Sequence, residues 1–345
     1  MGSYNETFVC KPPAQSPWWA PVVFLQFLIV ILGCLSHVIF VKLAVVPGNF
    51  GRYIRVAFAL ISAMMLNMLL TSTGAFVITL INGKFIEDCE ISAMEPRKWL
   101  LYIHSFGEYF FVVCELLGTI ERVISTYYPN FRKSDAFTVY IAIAGVLGIS
   151  ASFAYIYFIR ISFVKHLFAI GFGSLTAMEV LNGIIVFILL HAAKRKYKNS
   201  KDATLNFKFE ISQSYSYCRC AAASVIARVF IITFVYLQVF GLFEGSWGDS
   251  GFYYVMNILI NLYCLVYPWA IMLCHRKIRG ELSRIVKGSC FGRNRKVHFE
   301  GELKKLYTID GRHMNNVPDD HQKNHFNNLG HFWNNSAQPT ARGAP

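Results

Sequence analysis

Four ionisable side chains, His104, Glu108, Glu115 and Arg122, follow one another in steps of 4, 7 and 7 residues inside the mostly apolar stretch Leu101 to Tyr127. Steps of that size return to nearly the same face of an α-helix. Charged groups in hydrocarbon cost several kcal/mol, so they turn toward a bundle interior and mark a site. At 1.5 Å per residue, Glu108 lies about 10 Å and Glu115 about 20 Å below the outer surface. His104, Glu108 and Glu115 are therefore the candidate ligand-binding residues, the upper ones lining a cavity open to the outside. For Glu108 the alternative is a carboxyl hydrogen-bonded within the bundle. Glu179 and Arg228 fall at depths comparable to Glu115 and are expected either to pair with one another, fixing helix register, or to join the site. Asn67, Asn182, Asn257 and Asn261 read as interhelical hydrogen-bonding residues. Glu121-Arg122 closes the stripe at its inner end, where an acid beside an arginine can act as a switch: paired, it holds a bundle closed; released, it frees the guanidinium.

Catalytic groupings are missing from the apolar stretches. His37, His104 and His191 fall at scattered depths with no His-x-x-x-His among them, and there is no Ser-His-Asp arrangement or glycine-rich phosphate loop. The nine cysteines form no Cys-x-x-Cys pair. No metal, cofactor or enzymatic activity is expected, and a membrane-embedded hydrolase or desaturase, which gathers histidines and carboxylates at one membrane face, is the least favoured class.

The elements that must position these residues are seven apolar stretches: Pro21 to Val45, Ile54 to Ile81, Leu101 to Tyr127, Ala136 to Phe158, Leu167 to Ala192, Ala221 to Phe243 and Phe252 to Cys274. Each approaches the roughly 20 residues that cross a hydrocarbon core about 30 Å thick. Backbone amides in lipid need partners within the segment, and the stretches are too long for barrel strands, so the fold class is all-α: a seven-transmembrane helix bundle. With 54% hydrophobic and 15% charged residues among 345, one membrane domain is expected.

The formal net charge is +13. The first, third and fifth loops and the tail are rich in Lys and Arg, notably Lys42, Arg52, Arg55, Arg132, Lys133, the run Lys194 to Arg219, Arg276 and Lys277, whereas the N-terminus and even loops are poor. By the positive-inside rule the N-terminus is outside and the C-terminus cytoplasmic. Charge placed this way is topological and does not suggest nucleic acid. The first span is expected to act as an uncleaved signal anchor. Asn5-Glu6-Thr7 is then an outward glycosylation sequon, and Cys10 and Cys89 are two outer cysteines able to pair.

Residues 1–20 read as a short extracellular segment, 21–274 as the bundle, 275–290 as a juxtamembrane amphipathic helix and 291–345 as a disordered cytoplasmic tail. From His275 to Lys287, basic residues alternate with Ile278, Leu282, Ile285 and Val286 at helical spacing, which suits an anionic inner leaflet. Cys290 follows as either a palmitoylation site or a free thiol. The connection between the fifth and sixth spans is expected to be a loop of about 28 residues. Membrane lipids are thus the first expected partners.

Seven spans, an outer N-terminus, Glu121-Arg122 at the end of the third span and a basic amphipathic helix after the seventh resemble a G-protein-coupled receptor. The rhodopsin-like pattern is not followed: the sixth span has no proline, the seventh has Tyr267-Pro268 without Asn-Pro-x-x-Tyr, and the second outer loop lacks cysteine. The stretch Gly118 to Tyr128 and the segment Ile211-Ser-Gln-Ser-Tyr215 resemble the nematode serpentine chemoreceptors of the Sra superfamily, and most nearly the Sre (class epsilon) group. There Glu-Arg is followed by Ala-(Ser/Thr), where Ile124 and Ser125 stand here, and Leu-Ser-x-x-Tyr precedes the sixth helix; a downstream Glu-Asn is missing. The resemblance implies sensory signalling: a small-molecule cue binds among the helices, the inner loops activate a heterotrimeric G protein, Arg122 transduces and Glu121 restrains it, in a plasma or sensory cilium membrane. The competing class is a seven-span ligand-gated channel like the insect odorant receptors. Those are expected with the N-terminus inside, against the charge count.

Overall fold

The computed structural model describes residues 19–45, 50–85, 89–132, 134–161, 165–199, 205–239 and 248–290, all within one compact unit. Asn5 and Cys10 lie outside the described residues, as does the tail from 291. The described elements are helices, with no strand among them: α1 (Trp19–Phe40), α2 (Arg52–Ile81), α3 (Cys89–Ala93), α4 (Glu95–Tyr127), α5 (Pro129–Arg132), α6 (Asp135–Ile156), α7 (Lys165–Asn199), α8 (Leu205–Val239), α9 (Gly248–Cys274) and α10 (Arg276–Cys290). Two of them, α1 and α6, run on through single π-helical turns, Val41–Val45 and Tyr157–Ile161.

Six spans among the described residues are long and apolar enough to cross a membrane, carried by α1, α2, α4, α6, α7 and the Asn257–Cys274 part of α9. The expected sixth span falls on α8 as far as Val239. The chain is a multi-pass membrane helical bundle. Its surface supports this as much as its lengths do: α6 turns Val139, Ile143, Val146 and Leu147 outward while burying Ser152 and Tyr155. Water would penalise such an apolar exterior, whereas lipid tails accept it.

The central helix is α4, which packs on α2, α6, α7 and α8. Close approach to α6 depends on Gly148, where an added Cβ would meet Val113 Cγ1 at 2.4 Å. The apolar core runs through Phe40, Phe58, Met65, Leu69, Phe111, Leu189 and Tyr267.

A proline sits inside α9, and a histidine of α1 compensates for it. Pro268 has no N–H to give to the carbonyl of Cys264 one turn earlier. His37 supplies the missing donor, its Nε2 lying 3.0 Å from that carbonyl, while its Nδ1 meets the Ser62 hydroxyl of α2 at 2.9 Å. One buried histidine thereby ties three helices at the proline.

The connection between the fifth and sixth spans differs from expectation. Helix α7 continues to Asn199 and α8 already begins at Leu205, so most of the segment expected as a loop is helical. Hydropathy ends where the Lys and Arg residues begin, but their long stems are good helix formers and carry both helices past the apolar region. After α9, the helix α10 buries Ile278 and Leu282 and exposes Lys277 and Arg279. Arg219 of α8 donates to the Cys274 carbonyl at that corner.

Candidate functional site

The deepest cluster is built around Arg228 of α8. Its Nη2 donates to Glu115 Oε2 of α4 at 2.6 Å and its Nη1 to Glu179 Oε1 of α7 at 2.5 Å. The Tyr263 hydroxyl of α9 accepts from Nη2 at 2.6 Å and from Nε at 3.1 Å. The guanidinium also lies over the Phe111 ring, 4.3 Å from its centroid, a favourable placement for a cation. Glu115, Glu179 and Arg228 are 4%, 3% and 4% exposed. The expected pairing of Glu179 with Arg228 is present, and Glu115 belongs to the same cluster.

Further donors complete it. Ser224 donates to Glu115 Oε1 at 3.3 Å and Asn182 to Oε2 at 3.5 Å, while Thr119 donates to Asn182 Oδ1 at 2.7 Å. Tyr217 reaches the Glu115 carbonyl at 3.3 Å over Gly118, where a Cβ would meet its hydroxyl at 2.9 Å. Four helices therefore converge on a site with two carboxylates and one guanidinium.

In the outer part of the stripe, each residue meets its own partners. His104, 4% exposed, turns to α2, its Nδ1 lying 3.2 Å from the Met68 carbonyl and 3.4 Å from the Thr71 hydroxyl. Glu108 is half-buried and accepts from the Tyr155 hydroxyl of α6 at 3.3 Å. Arg160 lies in the π-helical turn after α6, donates to Ser105 at 2.9 Å and acts electrostatically on Glu108. The spacing does place these residues along one side of α4. Different helices cross that side at different depths, so His104, Glu108 and Glu115 find different hydrogen-bond partners.

At the other end of α4, Glu121 and Arg122 make a two-pronged pair, Nε to Oε2 and Nη2 to Oε1, each 2.5 Å. Arg122 is fully buried. Two residues that the sequence does not associate with this switch close the network. Arg132 of α5 donates to Glu121 Oε1 at 2.8 Å and to Glu210 Oε1 of α8 at 2.7 Å. Glu210 Oε2 accepts from Ser125 at 2.9 Å and stands 3.8 Å from Arg122 Nη1. Beside them Thr126 donates to Ser214 at 2.8 Å, a second bridge between α4 and α8. Room for Arg132 comes from Gly51 ahead of α2, where a Cβ would lie 2.9 Å from Arg132 Nη2. In the sequence Glu210 stands directly before Ile211-Ser-Gln-Ser-Tyr215.

The inner network balances two carboxylates with two guanidiniums, whereas the central one has an excess carboxylate. Charge-balanced and hydrogen-bonded, the inner cluster holds α4, α5 and α8 together in this state. Losing Glu210 would leave Arg122 with Glu121 alone. Among the described residues no grouping of His, Cys, Asp and Glu could hold a metal ion. Cys89 begins α3 and Cys290 ends α10, and the positions of their side chains, like the expected pairing of Cys10 with Cys89, fall outside the described residues. No protein-family model and no curated protein matches the chain.

Proposed function

We propose that the protein is a chemosensory receptor of the seven-helix, G-protein-coupled kind, facing outward with its N-terminus and activating a heterotrimeric G protein at the basic, cytoplasmic end. The observation that carries the reading is the enclosure of Arg122 by Glu121 and Glu210, with Arg132 bridging the two acids. A guanidinium fully buried at the end of the central helix, tied to α8 through acids that could release it, is a bistable contact of the kind that switching bundles use. It rests also on the resemblance of Gly118 to Tyr128 to the Sra superfamily, most nearly the Sre group.

The cue enters from the outer side and acts on the cluster of Glu115, Glu179 and Arg228. Two carboxylates against one guanidinium favour a ligand bearing an ammonium or several hydrogen-bond donors, since a cation there relieves the excess of negative charge. Because α8 carries both Arg228 and Glu210, a change in the central cluster reaches the inner network along one helix. The coupling energy a ligand can exert is its difference in affinity between the two states.

A library of amines and neutral volatiles, applied to cells expressing the full chain with a second-messenger readout, tests the proposal. Responses confined to transfected cells and dependent on a G protein are expected. A ligand-evoked ionic current that persists without G protein would favour the channel class instead. Glycosylation at Asn5 in microsomes is the matching topological expectation, and glycosylation in its place at the tail sequon Asn334-Asn335-Ser336 would reverse the orientation.

A further inference from the structure

Near the basic end of the bundle, a cleft of about 750 Å³ opens between the end of α4 and the outer face of α7. Tyr127 forms one wall; Phe187, Ile188, His191, Arg195 and Lys196 form the other. The lining is graded along α7. Phe187 and Ile188 are 47% and 63% exposed, an apolar surface at the depth of lipid tails. Seven residues on from Ile188, about 10 Å along the helix, stands Arg195, exposed, with His191 between them on the same face. Among the described residues no acidic side chain lines the cleft.

Lys196 is held in place by its surroundings. Its ammonium donates to the Thr126 carbonyl at 3.0 Å and sits 4.3 Å from the Tyr127 ring centroid. An ammonium anchored this way has lost its conformational freedom before any ligand arrives, which lowers the cost of binding an anion.

We propose that this cleft binds an anionic phospholipid of the inner leaflet, its phosphate headgroup against His191, Arg195 and Lys196 and an acyl chain against Phe187 and Ile188. Bound there, the lipid bridges α7 to the last turn of α4, within one turn of Arg122. The site depends on the orientation proposed above and not on the receptor reading, so loss of signalling and loss of lipid binding are separate outcomes.

The full chain in phosphatidylcholine nanodiscs containing phosphatidylserine, with retained lipid counted by native mass spectrometry, provides the test. Each basic residue near the surface contributes about fivefold in affinity, so Arg195→Gln/Lys196→Gln should weaken phosphatidylserine retention about twenty-five-fold. Lys42→Gln/Arg52→Gln, two exposed basic residues outside both the cleft and α10, removes the same charge elsewhere and should leave retention within about twofold. Ile188→Trp keeps every charge but fills the apolar half, and should cost at least about fivefold; it decides the matter if the double variant fails to fold. Equal loss in the Lys42→Gln/Arg52→Gln variant, no loss in Ile188→Trp, or full competition by the free headgroup glycerophosphoserine would each overturn the proposal, the last by showing a free-anion site.

Discussion

Arg228 donates to Glu115 at 2.6 Å across the middle of the bundle, joining residues 113 positions apart in the chain. The same guanidinium holds Glu179 at 2.5 Å. Its removal leaves two carboxylates facing each other away from water.

Breaking such a cluster from one side costs more than replacing it whole. Arg228→Met should destabilise the protein by about 3 kcal/mol, read as a lower unfolding temperature in detergent. Adding Glu115→Gln and Glu179→Gln to it should restore part of that loss. Equal instability of the single and triple variants would show that shape, not charge, holds the centre.

His37 stands in for the N–H that Pro268 lacks, donating to the Cys264 carbonyl at 3.0 Å. Pro268→Ala would return a backbone donor to that carbonyl. His37→Ala should therefore cost less in the Pro268→Ala background than alone, with a coupling of about 0.5–1.5 kcal/mol in a double-mutant cycle of thermal stability. Additive effects would mean the two residues act independently.

His275 lies at the corner between α9 and α10, its ring centroid 4.7 Å from that of Phe50. Burial first, then the charges of Lys277 and Arg219, lower its pKa from 6.5 to about 4. Its neutral form is the folded one, so between those two values the unfolded chain binds more protons and stability rises with pH. As pH falls below about 6.5 the protein should lose stability relative to His275→Gln, with the difference levelling near pH 4. A difference between the two that stays flat over that window would refute the assignment.

Two glycines one turn apart on α6 face different surroundings. Gly145 has nothing within 4 Å of an added Cβ, whereas Gly148 would meet Val113 at 2.4 Å. Gly145→Ala should be neutral or stabilising by up to about 1 kcal/mol, and Gly148→Ala should cost about 1–3 kcal/mol. Thermal unfolding of both variants compares them; the reverse ranking would contradict the packing of α4 on α6.

The spans were legible because a continuous apolar stretch of such length would be insoluble unless lipid or a large core surrounded it, and Glu179 with Arg228 because charges at matched depth attract. Other parts were hidden for physical reasons. Arg132 looked like an inside-positive loop residue; only the fold of α5 turns it back onto Glu121. Tyr263 carries no charge and so gave no signal in an apolar stretch, although it is the acceptor that completes Arg228. His104 and Glu108 share a stripe by spacing, but which helix crosses α4 at each depth is a property of tertiary packing. Lys194 to Lys198 marked the end of hydropathy, which is not the end of a helix.

In the proposed receptor, Arg122 released from Glu121 and Glu210 transmits the signal. In cells exposed to an activating compound, Arg122→Ala matched to wild type for surface level should abolish the second-messenger response while Glu210→Gln raises the basal signal. An undiminished response in Arg122→Ala would contradict the account.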